Sequence, residues 1–422
     1  MKRFLLLIIL IFTTGICVFL GYKDKILNDI STISISNSKL SDKQKIKIIE
    51  SHFSKYVIAN KDTDILDSNN EKIGTIYKDA LLELEDTNIK SDTKYFKIKN
   101  IGNVYYNDVN VSNDIENDYR YKNYIAFNKN LITKDKYTIY SKNGNKLYTL
   151  SGEKSYPILI SNYDNKYYFE FNNSLVYINK SDIKKIIDKS NSKETPAKKI
   201  TTLCYHRVFD KNDKCTNIQL CKSKSNFDRE MKYLYDNKFF TLTTEEMYLF
   251  VSGKIRLPHN SVVITLDDGK LIKSAIEVLE KYNLHATTFL ITSRVKSLDE
   301  YKSKSLEVQS HTHDMHTTGK CKTTYSYQQG GGILCFSEDT ILNDLKKSKE
   351  ILGSNTIALA YPFYDYNERA EKLLKKSGFL IAFKGTGTTK GVSTVGTNPY
   401  EVPRITMWNS HSLENFKSFV NN

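Results

Sequence analysis

Two adjacent carboxylates and two histidines are the residues of this sequence whose types and spacing could do chemistry. The strand-like run 262–266 ends in Asp267-Asp268, and a later strand-like run delivers His311 and His316. Neighbouring carboxylates repel each other and are costly to bury. A cation removes that cost, because one carboxylate can bind it while the other stays free to accept a proton. One Asp and two His ligands with an open position make a hydrolytic metal site.

Strand-like and helix-like runs alternate after residue 200, and they predict the elements that must hold these residues. The predicted strands are 200–205, 261–266, 286–291, 306–310, 356–361 and 380–383. The predicted helices are 226–237, 244–252, 272–282, 338–352 and 367–377. This alternation indicates a parallel sheet, most simply a (β/α) barrel, in which chemistry lies at the carboxyl ends of strands. Asp267, Asp268, His311, His316 and Pro362 all fall at such ends.

Length and charge narrow the class of protein. The chain has 422 residues, 40% of them hydrophobic, and a formal net charge of +14. The basic residues are spread along the whole chain, without a dense stripe, interleaved aromatics or a zinc-finger signature, so we predict no nucleic-acid partner. A basic surface that faces an anionic cell wall or membrane is the better interpretation.

The amino terminus has the composition of a membrane segment. Residues 4–20 are almost wholly apolar and are flanked by basic residues. We predict an uncleaved signal anchor over 1–23, followed by a polar stalk over 24–55. The amino terminus would then lie inside a single-pass cell-membrane protein whose catalytic domain is extracellular. A cleaved signal peptide is the alternative.

A weak internal repeat of short alternating strands occupies the next part of the chain. The repeat predicts two small all-β barrels, at 56–120 and 121–188, which resemble bacterial Src-homology-3-like domains. The Pro-containing segment 189–199 is a predicted linker. The aromatic residues that could stack on a glycan, but which are more often barrel core, are Tyr105, Tyr106, Tyr167 and Tyr168. The predicted fold class is therefore α/β, with a distorted (β/α) barrel over 200–422 preceded by two β domains and a transmembrane helix.

Cysteine spacing leaves two interpretations open. Cys215 and Cys221 flank a polar loop, and Cys321 and Cys335 flank an insertion. An extracytoplasmic location permits both pairs as disulfides, and free thiols are the alternative. Because the chain has no Cys-x-x-Cys pair, we do not expect zinc held by thiolates.

The second half of the chain, about residues 200–420, resembles the NodB-homology polysaccharide deacetylases of carbohydrate esterase family 4. The family's T-F-D-D-G motif stands here as TLDDG, and its upstream Y-H stands as Tyr205-His206. The resemblance implies that Asp267 is the general base and that Asp268 binds the metal. The chemistry agrees, since one acid must hold the cation while its neighbour accepts a proton.

The second motif of the family supplies the histidine ligands. The common four-residue spacing from His311 would place Met315 at the second ligand, and a thioether serves a hard or borderline cation poorly. A five-residue spacing gives His316 and resembles the branch that deacetylates poly-N-acetylglucosamine. His313 and Asp314 could orient the ligands. We expect zinc, although cobalt or another divalent ion would also fit.

The third motif departs from the family pattern. Ala360 stands where an Arg usually precedes the prolines, and Arg404 is the candidate substitute that would pair with Asp267 and lower its pKa. A surface Arg is the equal alternative. The resemblance implies that the backbone N–H of Phe363 faces the oxyanion. It also implies substrate contacts from the neighbouring residues, which are Tyr361, Pro362 and Tyr364.

The general acid is the least defined residue of the predicted site. His411 is the histidine available near the carboxyl terminus, and His206 is the second candidate. The sequence as a whole predicts a metal-dependent, monomeric hydrolase that removes N-acetyl groups from a cell-wall glycan, with peptidoglycan first. The alternatives are a secreted poly-N-acetylglucosamine as substrate, or a wall-binding scaffold without catalysis.

Overall fold

The computed structural model describes residues 55–85, 94–112, 119–211, 213–322, 329–385 and 391–421. The predicted anchor at 1–23 and all but the last residue of the predicted stalk lie outside the described residues. Within the described ranges, no helix is both long and apolar enough to cross a membrane.

The chain forms two compact units, and their borders differ from the predicted ones. The amino-terminal unit contains the described part of Met1–Asp118 together with Ile132–Lys154 and Glu170–Lys184. The barrel unit is built from three stretches, which are Tyr119–Leu131, Ser155–Phe169 and Lys185–Asn422. Two stretches of the second predicted β repeat therefore belong to the barrel unit, and the predicted border at 120/121 is not the one that the two units show.

Short strands make up the described chain before residue 190. They are β1 (Tyr56–Ala59), β2 (Thr63–Leu66), β3 (Lys72–Ile76), β4 (Leu81–Glu83), β5 (Tyr95–Ile98), β6 (Gly102–Tyr105), β7 (Val109–Val111), β8 (Lys129–Thr133), β9 (Lys136–Ser141), β10 (Lys146–Ser151), β11 (Ser155–Pro157), β12 (Ile160–Tyr163), β13 (Lys166–Phe171), β14 (Ser174–Asn179) and β15 (Ile183–Asp188).

One antiparallel sheet joins strands from both predicted repeats inside the amino-terminal unit. Its order is β14-β9-β10-β3-β2-β6-β5, and β10 lies beside β3 with Tyr148 opposite Ile76. Strands β4 and β7 flank β1 in a separate sheet. Membership of these strands in the Src-homology-3-like class stays a prediction. Of the tyrosines named above, Tyr167 and Tyr168 are buried, whereas Tyr105 is 43% exposed.

The remaining strands and helices lie in the barrel unit. The strands are β16 (Lys199–Tyr205), β17 (Arg207–Phe209), β18 (Cys221–Ser223), β19 (Phe240–Thr241), β20 (Ser261–Asp267), β21 (Ala286–Leu290), β22 (Leu306–Ser310), β23 (Thr318–Lys322), β24 (Gln329–Gly331), β25 (Ala358–Ala360), β26 (Ile381–Gly385), β27 (Val392–Thr394) and β28 (Val402–Thr406). The helices are α1 (Lys224–Asp236), α2 (Thr244–Val251), α3 (Lys273–Lys281), α4 (Gly332–Cys335), α5 (Glu338–Leu352), α6 (Glu368–Lys376) and α7 (Leu413–Val420).

Parallel strands close into a barrel at the centre of this unit. Strands β20, β21, β22, β25, β26, β28 and β16 follow in this order, and β16 pairs back with β20. All residues of β20 are buried, as expected for a strand that packs on both faces. The sequence analysis left β28 unassigned, and this strand closes the barrel between β26 and β16.

The first upstream stretch of the barrel unit is hydrogen-bonded to α2 and to the segment that follows it. Glu246 of α2 accepts hydrogen bonds from Arg120 Nε at 3.0 Å and from Tyr124 Oη at 2.8 Å. Arg256 donates from Nη1 to the carbonyl of Ala126 at 2.7 Å. These bonds satisfy polar groups of the barrel unit and tie this stretch to it.

Both cysteine pairs left open by the sequence are disulfides in the structure. Cys215 bonds to Cys221, and Cys321 bonds to Cys335. Cys204 of β16 is a free, buried cysteine.

Candidate active site

Asp268, His311 and His316 converge at the carboxyl end of the barrel. The three side chains each offer one ligand atom, and these atoms lie within 4.8 Å of one another. Asp268 Oδ1 is 3.7 Å from His311 Nε2 and 3.4 Å from His316 Nε2. Asp268 follows β20 directly and His311 follows β22, so the ends of nearby parallel strands bring them together.

The donor set fits a divalent cation. His311 Nδ1 lies 2.8 Å from the carbonyl oxygen of Ala360, which fixes the proton on Nδ1 and turns the lone pair of Nε2 toward Asp268. Asp268 Oδ1 is buried and makes no hydrogen bond within the described part of the chain. Burial and, to a smaller extent, the neighbouring His311 lower the pKa of His316 to about 4, so its imidazole is neutral at neutral pH. Two imidazoles that face an unsatisfied carboxylate oxygen form a ligand set that can hold a divalent metal ion.

The five-residue histidine spacing is the one that the structure brings to Asp268. Met315 is 1% exposed and packs in the hydrophobic core. His313 Nδ1 lies 2.9 Å from Thr292 Oγ1, and Ser293 Oγ donates to Asp314 Oδ1 at 3.0 Å. The side chains of His313 and Asp314 therefore contact the segment after β21, and the structure does not show them beside the imidazole ligands.

Asp267 is held by Arg404. Arg404 donates from Nη1 to Oδ1 at 2.7 Å and from Nη2 to Oδ2 at 2.8 Å, and it is fully buried. Burial alone raises the pKa of the Asp267 carboxyl, but the Arg404 guanidinium outweighs burial and holds the pKa well below its ordinary value. Arg404 is thus no surface residue, and the geometry places it where the sequence analysis expected a partner for Asp267.

A second group of potential ligands lies close by but is a poor metal site. The ligand atoms of Cys204, His206 and Asp267 lie within 4.8 Å of one another. Arg404 already occupies both oxygens of Asp267. Burial raises the pKa of the Cys204 thiol well above its ordinary value, and a thiol must lose its proton to bind a metal.

The loop after β25 carries the residues predicted to contact substrate and oxyanion. Phe363 is 42% exposed, and its ring centroid is 4.4 Å from that of His316. Tyr361 is fully buried and donates to the carbonyl of Tyr400 at 3.1 Å. The Tyr361 side chain therefore faces the hydrophobic core and cannot contact a glycan.

The other two residues of this loop are also largely enclosed. Pro362 is buried. Tyr364 is half-buried, and its hydroxyl lies 2.9 Å from Thr406 Oγ1 of β28. Phe363 thus presents the most exposed side chain of the predicted substrate loop.

Several residues at the carboxyl end of the barrel have left-handed backbone conformations. They are Asp268 with φ 69°, Thr312 with φ 72°, Phe363 with φ 57° and Tyr364 with φ 61°. Such angles are unfavourable for residues with a Cβ atom, and most of all for the β-branched Thr312. Strain of this kind is typical of active sites, where the surrounding fold holds a side chain or a backbone N–H in a required place.

The two general-acid candidates lie in different surroundings. His206 follows β16 and is close enough to Asp267 and Asp268 for their charges to act on it, while burial lowers the pKa of its imidazole. His411 accepts a hydrogen bond from the backbone N–H of Trp408 at 3.3 Å and packs against Phe419 with ring centroids 5.2 Å apart. The structure brings His206 to the site and keeps His411 on the carboxyl-terminal segment.

Sequence reasoning missed two residues that hold the ligands. Arg207 Nη2 lies 3.5 Å from Asp268 Oδ2. Asp344 of α5 accepts the backbone N–H groups of His313 and Asp314, both at 2.7 Å, and so fixes the loop between the two histidine ligands. Arg207 is adjacent to the Tyr205-His206 motif and could have been suspected, whereas nothing in the sequence around Asp344 indicates its partners.

Comparisons with known proteins find a matching family model and related enzymes. The family model for polysaccharide deacetylases matches residues 254–382. The chain is 30% identical over 257 residues to the poly-β-1,6-N-acetyl-D-glucosamine N-deacetylase of Staphylococcus aureus (strain MRSA252), which covers 51% of this chain and 83% of that protein. It is 32% identical over 239 residues to the enzyme of the same name from Staphylococcus epidermidis, over 49% of this chain and 78% of that protein.

Among solved structures, IcaB from Ammonifex degensii is similar, with a TM-score of 0.46 and 23% identity over 54% of this chain and 99% of that chain. The two staphylococcal relatives are matched over most of their length. The chain therefore belongs to the polysaccharide deacetylase family and is a polysaccharide N-deacetylase.

Proposed function

We propose that this chain is a metal-dependent deacetylase of poly-β-1,6-N-acetylglucosamine. The observation that carries the proposal is the approach of His311 Nε2 and His316 Nε2 to the unpaired Oδ1 of Asp268, at the five-residue spacing. That spacing resembles the poly-N-acetylglucosamine branch of the family, and the staphylococcal relatives are named for this substrate.

The proposed reaction is hydrolysis of an N-acetyl amide. Water adds to the carbonyl carbon, the C–N bond breaks, and acetate and a free amine leave. A divalent ion held by Asp268, His311 and His316 would polarise the carbonyl and lower the pKa of water. Zinc is the proposed ion because the donors are one carboxylate oxygen and two imidazole nitrogens.

Asp267 is the proposed proton acceptor. Its carboxylate is ionised at working pH, since Arg404 holds its pKa well below the ordinary value. Arg404 donates to both oxygens, so the carboxylate cannot rotate when the proton arrives. A proton that Asp267 accepts must pass on quickly, and His206 is the nearby group proposed to deliver a proton to the departing amine.

Phe363 has two proposed functions at the mouth of the barrel. Its backbone N–H is the proposed hydrogen-bond donor to the oxyanion, held by the left-handed conformation of the loop. Its exposed ring, beside His316, is the proposed surface for the sugar. Tyr361 is omitted from the proposed substrate contacts because it is buried.

Acetate release from defined oligosaccharides tests the proposal. The full chain should release acetate from β-1,6-linked N-acetylglucosamine oligomers faster than from β-1,4-linked oligomers or muropeptides. A chelator should abolish the release, and added Zn²⁺ should restore it. Asp267→Asn is the matched control, because it should bind the same oligomers without releasing acetate.

Three outcomes would contradict the proposal in different ways. Faster release from muropeptides would favour peptidoglycan, which the sequence analysis placed first. Full activity in the presence of a chelator would refute the metal dependence. Glycan binding by the wild-type chain without any acetate release would favour the scaffold alternative.

We further propose that the chain acts as a monomer at the outer face of a cell membrane. The apolar composition of residues 4–20 and the basic residues that flank them support an anchor. The two disulfides of the barrel unit are consistent with an oxidising compartment. Protease digestion of intact cells tests this proposal, since an extracellular barrel unit would be cleaved without lysis.

A further inference from the structure

Arg207 is a largely buried cation beside the proposed metal ligands. It opens β17, directly after His206, and its side chain is 14% exposed. Its Nη2 lies 3.5 Å from Asp268 Oδ2. Its Nε and Nη1 are buried and make no hydrogen bond within the described residues. Buried N–H groups without partners are costly, so the burial of Arg207 is not explained by stability.

The two oxygens of Asp268 therefore face different partners. Oδ2 faces the guanidinium of Arg207, whereas Oδ1 faces the imidazole nitrogens of His311 and His316. A carboxylate that binds a metal through both oxygens needs both of them free. The left-handed conformation of Asp268, with φ 69°, holds the carboxylate between these partners.

We propose that Arg207 is a positioning residue that limits Asp268 to one donor oxygen and so keeps a position at the metal open for substrate. This inference rests on the proposed metal site. A cation so close to a divalent ion weakens metal binding by repulsion, so a site built for affinity alone would exclude it. The presence of Arg207 is explained if an open position on the metal matters more than tight metal binding, as it does in catalytic metal sites.

Cobalt substitution gives a readout that does not depend on activity. Co²⁺ with few ligands absorbs visible light strongly, and the absorption weakens as the number of ligands rises. Metal-free full-length protein is titrated with Co²⁺, and the wild type should show strong bands at saturation. Arg207→Met frees Oδ2, so it should still bind Co²⁺ stoichiometrically but with clearly weaker bands. Its acetate release should fall about 10–100-fold.

Two further variants keep the test decisive. Arg229→Met removes an exposed arginine of α1, which donates to Asn226, and should leave the spectrum unchanged. Arg207→Lys keeps the charge on a flexible stem without the planar fork, and it should recover part of the band intensity. If Arg207→Met fails to fold, Arg207→Lys carries the comparison, and its Co²⁺ bands should be weaker than those of the wild type.

The outcomes separate this inference from the proposed function. Identical spectra for wild type and both Arg207 variants would overturn the role of Arg207 and leave the metal site intact. Failure of the wild type to bind Co²⁺ would overturn the metal site and the inference together.

Discussion

The surroundings of Asp267 and of Asp268 differ sharply, although the two residues are adjacent. Asp267 is 1% exposed, and both of its oxygens accept hydrogen bonds from Arg404. Asp268 has one oxygen near Arg207, and its other oxygen faces two imidazoles without a hydrogen bond from the described residues. The Asp267 carboxylate is fixed as an anion by Arg404 and keeps further lone pairs that can accept a proton. The Asp268 carboxylate has an oxygen that lacks a partner and can bind a cation. Because the two side chains are identical, the proposed division into proton acceptor and metal ligand rests on their different partners.

The largest effect should come from removing the Asp268 carboxylate. Asp268→Ala takes away the oxygen on which His311 and His316 converge. Bound metal should be lost, and acetate release should fall by about a thousandfold or more, since metal polarisation supplies several kcal/mol. Metal analysis of the purified variant, together with a deacetylation assay, measures both. Retention of stoichiometric metal by this variant would break the comparison.

A change at Asp267 should separate metal binding from turnover. Asp267→Asn removes the charge and the proton-accepting oxygen, while Asp268 and the two histidines keep their places. Metal content should stay at the wild-type level, and acetate release should fall about 10²–10⁴-fold. Near-normal release would show that Asp267 is not the base, and His206 would then be the group to test.

Arg404 should affect stability more than metal content. Arg404→Met leaves the buried Asp267 carboxylate without its partner, which costs about 3–5 kcal/mol of unfolding free energy in comparable buried pairs. Denaturant unfolding of the metal-free protein measures this cost. The double variant Asp267→Asn/Arg404→Met removes the stranded charge and should recover part of the loss. Additive losses would show that the two side chains do not act as a pair.

The smallest expected effect is on the pH dependence of stability, and it tests the surroundings of Asp268, which His316 faces. Burial lowers the pKa of His316 to about 4, from an ordinary value of 6.5. The unfolded chain therefore binds more protons than the folded chain between these values, and the metal-free protein should lose stability as the pH falls from about 6.5 to 4. Unfolding midpoints measured across this range should vary less in His316→Gln. A midpoint that rises on acidification would contradict the assignment.

The sequence predicted the elements of the barrel unit better than its closure. The predicted helix at 338–352 and strand at 306–310 match α5 and β22. Strand β28 was not predicted because Pro403 interrupts its short apolar run, and proline is rare inside central strands. That strand carries Arg404, which is 137 residues from Asp267 along the chain. A contact of such separation depends on how the barrel closes, and local patterns do not encode it.

Within the site, residue types were predictable and orientations were not. The pattern Asp267-Asp268 with His311 and His316 is visible in the sequence, and the structure brings these side chains together. Tyr361 resembles a substrate contact by its position in the motif, but its side chain packs in the hydrophobic core. The contact of Arg207 with Asp268 also depends on side-chain directions that follow from the closed barrel.

The assembly of the barrel unit from three separate stretches has a consequence for how this catalyst can be exchanged. A gene segment that starts after residue 189 encodes Asp267, Asp268, His311, His316 and Arg404, but it omits Tyr119–Leu131 and Ser155–Phe169. Recombination at the predicted linker would therefore transfer all of these candidate site residues without the whole barrel unit. A barrel unit moved into another protein should fold only when the two upstream stretches are moved with it. The two halves of the sequence should therefore be inherited together.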